Sequence, residues 1–115
     1  MTTIYHNPRC SKSRETLQLL ESRGIKPDVV LYLETPPDAQ TLKTLLKKLG
    51  LKPRELMRQK EAEYKEMGLQ DPSLSDEQLI DAMVECPKLI ERPIVVQGKK
   101  AALGRPPENV LEILP

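Results

Sequence analysis

One thiol sits among three cations near the start of this chain: Cys10 is preceded by Arg9 and followed by Ser11, Lys12, Ser13 and Arg14. Thr2 to Tyr5 has the β-branched character of a strand, His6-Asn7-Pro8 turns the chain, and Ser11 to Arg23 runs without a breaker to Gly24. Cys10 is therefore expected at a helix N-terminus, where unpaired N–H groups and the helix dipole favour an anion. With Arg9, Lys12 and Arg14 at hand the thiolate, which is the nucleophilic form, is favoured, and the same field suits an oxyanion. His6, four residues upstream, is a candidate to hydrogen-bond into the site or to add positive charge. The competing readings are an inert thiol that caps the helix and a histidine that satisfies a loop.

Other thiol chemistries fit less well. Cys10 and Cys86 are no close pair of zinc ligands and there is one histidine, so no metal site is expected. Ser13 stands where a C-x-x-C dithiol would carry its second cysteine, so the internal exchange motif is absent. Cys86, which ends a helical pattern before Pro87, reads as a half-buried structural thiol. Arg92 precedes Pro93, Arg105 stands between Gly104 and Pro106, and Arg58 lies in a helical stretch. Each guanidinium is either a surface charge or a rigid fork of donors suited to a tetrahedral oxyanion beside a thiolate.

The elements that must position these residues begin with a strand, a helix and a second strand. Val29 to Leu33 is a continuous apolar run between Pro27 and Pro36, which suits a strand buried on both faces and parallel to the first. Leu42, Leu45, Leu46 and Leu49 then mark one helix face closed by Gly50. Shorter helical turns follow at Pro53 to Met57 and Glu61 to Met67, and Ser75 to Gln78 forms a capping box before a helix that reaches Glu85. Ile94-Val95-Val96 and Ala101-Ala102-Leu103 flank a glycine-containing turn and predict a hairpin, and Pro106 or Pro107 opens a last helix carrying Val110, Leu111 and Leu114. The expected architecture is α/β: one domain over 1–115 with a small mixed sheet and a helical insertion at approximately 38–87.

Composition limits the partners. Lys and Arg number 18 against 17 for Asp and Glu, so there is no broad positive field for nucleic acid. No apolar run is long enough for a membrane span or a signal peptide, and a cytoplasmic address follows. With 38% hydrophobic residues and neither Phe nor Trp, the core must be aliphatic.

Tyr5-His6-Asn7-Pro8-Arg9-Cys10-Ser11-Lys12-Ser13-Arg14, Tyr32-Leu33-Glu34, Glu91-Arg92-Pro93-Ile94-Val95 and Gly104-Arg105-Pro106 together resemble the glutaredoxin-coupled arsenate reductase family, most closely its compact bacterial branch. The resemblance spans nearly the whole chain in one order. It implies a thioredoxin-like fold with a helical insertion and a cis bond before Pro93. It also implies that Cys10 attacks arsenate or a related oxyanion, that His6 supports the activated thiol, and that Arg58, Arg92 and Arg105 bind the oxyanion. Ser13, Arg14 and Pro93 are supporting residues. No bound cofactor is implied; glutathione is the co-substrate and glutaredoxin the partner that resolves a Cys10–glutathione disulfide. Two other functions compete: a thiol sensor that binds RNA polymerase, and thiol–disulfide exchange on glutathionylated substrates.

Overall fold

The computed structural model describes residues 1–114, which divide into two compact units. The first comprises Met1–Thr35 and the chain from Arg92 onward, and the second is Pro36–Glu91.

In the first unit β1 (Thr2–His6), β2 (Asp28–Leu31), β3 (Ile94–Gln97) and β4 (Lys100–Leu103) form a mixed sheet in the order β2-β1-β3-β4. β1 and β2 are parallel and joined through α1 (Ser11–Ser22), while β3 runs antiparallel to both β1 and β4. β1 alternates buried Thr2, Ile4 and His6 with half-buried Thr3 and Tyr5, so one face of the strand carries Ile4 into the core and His6 to the site. Ile4, Leu20, Val95 and Val110 make that core, with Leu17, Leu19, Ile25 and Ile113 packed around it. The hairpin forms as expected: Gln97 pairs with Lys100 across Gly98-Lys99, with Gly98 at φ +60° as a tight two-residue turn requires.

Two expectations are corrected here. The Val29 to Leu33 run is not a strand buried on both faces, because β2 is an edge strand that ends at Leu31 and leaves Val29 46% exposed. The chain turns at once, with Glu34 N–H and Thr35 N–H both donating to Leu31 O at 2.9 Å, and only Tyr32 of the following residues is fully buried. The last helix opens at Pro107 as expected, with Asn109 N–H donating to Pro106 O at 3.0 Å, but it winds as a 3₁₀ helix and ends at Ile113, so it carries Val110 and Leu111 and leaves Leu114 beyond its end in extended conformation. The Arg92–Pro93 bond is cis, as the resemblance implies; Arg105–Pro106 is cis as well, without a sequence signal that singled it out.

The second unit is helical. α2 (Ala39–Leu49) buries Leu42, Leu45 and Leu46, starts at Asp38, whose carboxylate accepts from Thr41 N–H at 2.8 Å, and ends at Gly50 in the left-handed region. α3 (Pro53–Leu56) and α4 (Ala62–Glu66) are single turns, and α5 (Asp76–Glu85) packs against α2 and α3. The capping box before α5 is present in both directions: Ser75 Oγ accepts from Gln78 N–H at 3.2 Å, and Ser75 N–H donates to Gln78 Oε1 at 2.8 Å. Arg54 secures the chain after α4, donating to Tyr64 Oη, to Leu69 O and to Asp71 O. Among the described residues no helix is long and apolar enough to cross a membrane.

Candidate active site

Sheet register gathers the candidate residues of the first unit. Tyr5 lies opposite Ile94, and Ile94 opposite Leu103, so the segments just beyond them leave one end of the sheet side by side. These are His6 at the end of β1 with Asn7 to Cys10 after it, Arg92-Pro93 before β3 and Gly104-Arg105 after β4. Gly104 N–H donates to Pro93 O at 3.0 Å, and a Cβ at Gly104 would lie 2.7 Å from Pro93 Cγ and would collide with the Thr16 side chain. Thr16, fully buried on α1, donates to Lys12 O at 2.8 Å and approaches Gly104 O at 3.4 Å, joining the helix to the loop that carries Arg105. Thr16 belongs to no motif, and its importance shows only once α1 and the loop after β4 are brought together.

Cys10 is the N-cap residue of α1 and is 8% exposed. A turn places it: Cys10 N–H donates to Asn7 O at 3.0 Å, Arg9 N–H to Asn7 Oδ1 at 3.0 Å, and Arg14 Nη1 to Pro8 O at 2.9 Å. Its carbonyl accepts the first helical bond from Arg14 N–H at 3.0 Å, while its side chain makes no capping bond of ordinary geometry. The helix amides therefore act on Sγ through their field. Burial pushes the thiol up, but the amide of Ser13, the charge of Arg92 and the amide of Lys12 outweigh it and leave Cys10 below the ordinary thiol value. Arg105 Nη1 is 3.9 Å from Sγ and 3.4 Å from Arg92 O, so the two arginine loops meet at the sulfur.

The cations that the structure brings to Cys10 are Arg92 and Arg105, which are distant in sequence, while Lys12 and Arg14 have other partners. Lys12 pairs with Glu15 at 3.5 Å, and Arg14 is occupied by Pro8 O. His6 is buried, with Nδ1 2.6 Å from Ser13 Oγ, and burial, then the charge of Arg14, lowers its pKa from the ordinary value. At neutral pH it is an uncharged ring, so it adds no positive charge to the site. Ser13 Oγ also accepts from Asn7 N–H at 3.0 Å, which ties β1, the loop and α1 together.

Arg58 lies in the second unit. Its N–H donates to Leu89 O at 2.7 Å and its Nη2 pairs with Glu61 Oε1 at 2.7 Å. Lys88 neutralises the neighbouring carboxylates, 3.6 Å from Glu61 and 3.3 Å from Glu63. Cys86 is a partly buried free thiol at the end of α5. No three metal-ligating side chains gather among the described residues.

Comparison with known proteins identifies the family and the fold. The profile described as the ArsC family matches residues 5–113. The chain is 69% identical over 112 residues to the uncharacterized protein YfgD of Escherichia coli (strain K12), covering 96% of this chain and 94% of that one. It is 54% identical over 112 residues to an arsenate reductase of Neisseria meningitidis serogroup A, covering 96% of each. The solved arsenate reductase from Vibrio cholerae superposes with a TM-score of 0.97 at 60% identity, over 98% of this chain and 97% of that one. The fold is thus the thioredoxin-like α/β fold with a small mixed sheet and inserted helices, and the chain belongs to the ArsC family.

Proposed function

We propose that this protein reduces arsenate to arsenite through Cys10, with glutathione as co-substrate and glutaredoxin as the partner that restores the thiol. The observation that carries the reading is a thiol held below its ordinary pKa between Arg92 and Arg105, with Ser13 where an internal resolving cysteine would stand. Cys10 as thiolate attacks arsenic and displaces one oxygen, which leaves as water after protonation. Glutathione then supplies the second thiol: the two sulfurs give up two electrons, As(V) becomes As(III), arsenite departs and a Cys10–glutathione disulfide remains. A glutaredoxin thiol takes the glutathionyl group and frees Cys10. Arg92 and Arg105 are the oxyanion donors beside the sulfur, and Arg58 is the third arginine that the family resemblance assigns to the anion. Fixed guanidinium donors stabilise the charge of the adduct without reorganisation. Glutathione is abundant in the reducing cytoplasm, which is the proposed place of action.

The test is arsenite formation by purified protein with glutathione and glutaredoxin omitted in turn. Turnover is expected only with both, is abolished in Cys10→Ser and persists in Cys86→Ser. Arg58→Ala, Arg92→Ala and Arg105→Ala are each expected to lower kcat/KM by about 100-fold, the usual scale for losing a donor to developing anionic charge. Turnover without external thiol overturns the electron route. Activity on glutathionylated substrates with no arsenite formed replaces the reading with general thiol–disulfide exchange.

A further inference from the structure

Ser13 is fully buried in the first turn of α1, and its hydroxyl has two partners: Asn7 N–H at 3.0 Å and His6 Nδ1 at 2.6 Å. A serine hydroxyl holds one hydrogen and two lone pairs. Asn7 N–H can only donate, so it occupies one lone pair. A proton on Nδ1 would occupy the other and leave the hydroxyl hydrogen with no acceptor, because no further partner of Ser13 lies within hydrogen-bond distance among the described residues. A buried donor without an acceptor is what folded chains avoid. With Nδ1 unprotonated the hydroxyl donates to it, and all three groups are satisfied.

We infer that Ser13 is a positioning residue that fixes His6 as the neutral tautomer protonated on Nε2, so that His6 serves this site as a hydrogen-bond donor and not as a base. Nδ1 is taken by the Ser13 hydroxyl, and Nε2 already carries its proton. His6 therefore does not take the Cys10 proton, and the thiolate is favoured by Arg92 and the helix amides rather than by an imidazolium partner. The depressed pKa of His6 agrees with a ring that stays uncharged beside Arg14. The tautomer stands on hydrogen-bond geometry alone; its bearing on turnover rests on the arsenate reading above.

The chain has a single histidine, so its ring nitrogens can be observed without ambiguity. In ¹⁵N-labelled full-length protein at neutral pH, two-bond ¹H–¹⁵N correlation should show a protonated, pyrrole-type Nε2 and a bare, pyridine-type Nδ1. A protonated Nδ1, or a ring protonated on both nitrogens, overturns the inference. Ser13→Ala should shift the Nδ1 resonance and lower kcat/KM for arsenate by about tenfold, the scale of one hydrogen bond lost. Ser13→Thr, which keeps the hydroxyl, should restore the wild-type Nδ1 shift. Unchanged ring shifts in Ser13→Ala also overturn the inference. Shifted nitrogens with undiminished arsenite formation support it and remove His6 from the arsenate reading. If Ser13→Ala does not fold, the wild-type spectrum decides alone.

Discussion

At Cys10 burial and the field of the site pull the thiol in opposite directions, and the field prevails. The balance leads to a direct measurement: in a Cys86→Ser background, the pH profile of Cys10 alkylation should have its midpoint below that of a free thiol, and Arg92→Ala should move the midpoint upward. A midpoint that Arg92→Ala leaves in place would show that the helix amides alone hold the thiolate. His6 sets a second pH dependence of known sign. Its folded pKa is depressed, so as pH falls below the ordinary value of 6.5 the unfolded chain takes up the proton first, and stability present above that value is lost as pH falls through the folded value. Urea midpoints between pH about 7 and about 5 should therefore decline, and decline less in His6→Gln. Cys10 and His6 stood out in the sequence as candidates because a thiol and an imidazole lie four residues apart at a turn that opens a helix, whereas each arginine read equally well as a surface charge. Which cations face the sulfur was not legible, since Arg92 and Arg105 reach it through strand register while the nearer Arg14 is held by Pro8 O.

Among the elements, those whose ends carry their own chemistry were read correctly. α2 has a four-leucine stripe and a glycine stop, and α5 has its capping box, so local pattern and tertiary burial agree. Ser75→Ala should cost about 1 kcal/mol by removing the acceptor for Gln78 N–H, visible as a lower thermal midpoint with unchanged activity per folded molecule. β2 was misread because a continuous apolar run looks the same on an edge as in a sheet interior; strand order settles which, and no local pattern encodes strand order. The turn of Glu34 and Thr35 onto Leu31 ends the strand through backbone bonds, which side-chain types do not announce. The 3₁₀ winding of Pro107–Ile113 was likewise invisible, since its apolar positions suit either helix.

For the molecule as a whole, the absence of Phe and Trp makes tight aliphatic packing the main source of cohesion in both units. Leu20 shares the first unit's core with Ile4, Val95 and Val110, all at 0% exposure, so Leu20→Ala should cost about 2–5 kcal/mol, read from a denaturant titration. Such a loss should lower activity by reducing the folded fraction, leaving the Cys10 alkylation profile of the folded remainder in place. The start of α1 shows the opposite relation between folding and chemistry. The helix opens on a residue that gives it no side-chain cap, and its first turn holds no acid to answer the dipole. A serine at position 10 would supply the missing acceptor, so Cys10→Ser, which the proposed function expects to be inactive, should unfold later than wild type by about 0.5–1 kcal/mol. On the proposed function, a substitution that removes the nucleophile and hardens the protein would mark a position where selection has kept reactivity at the expense of robustness.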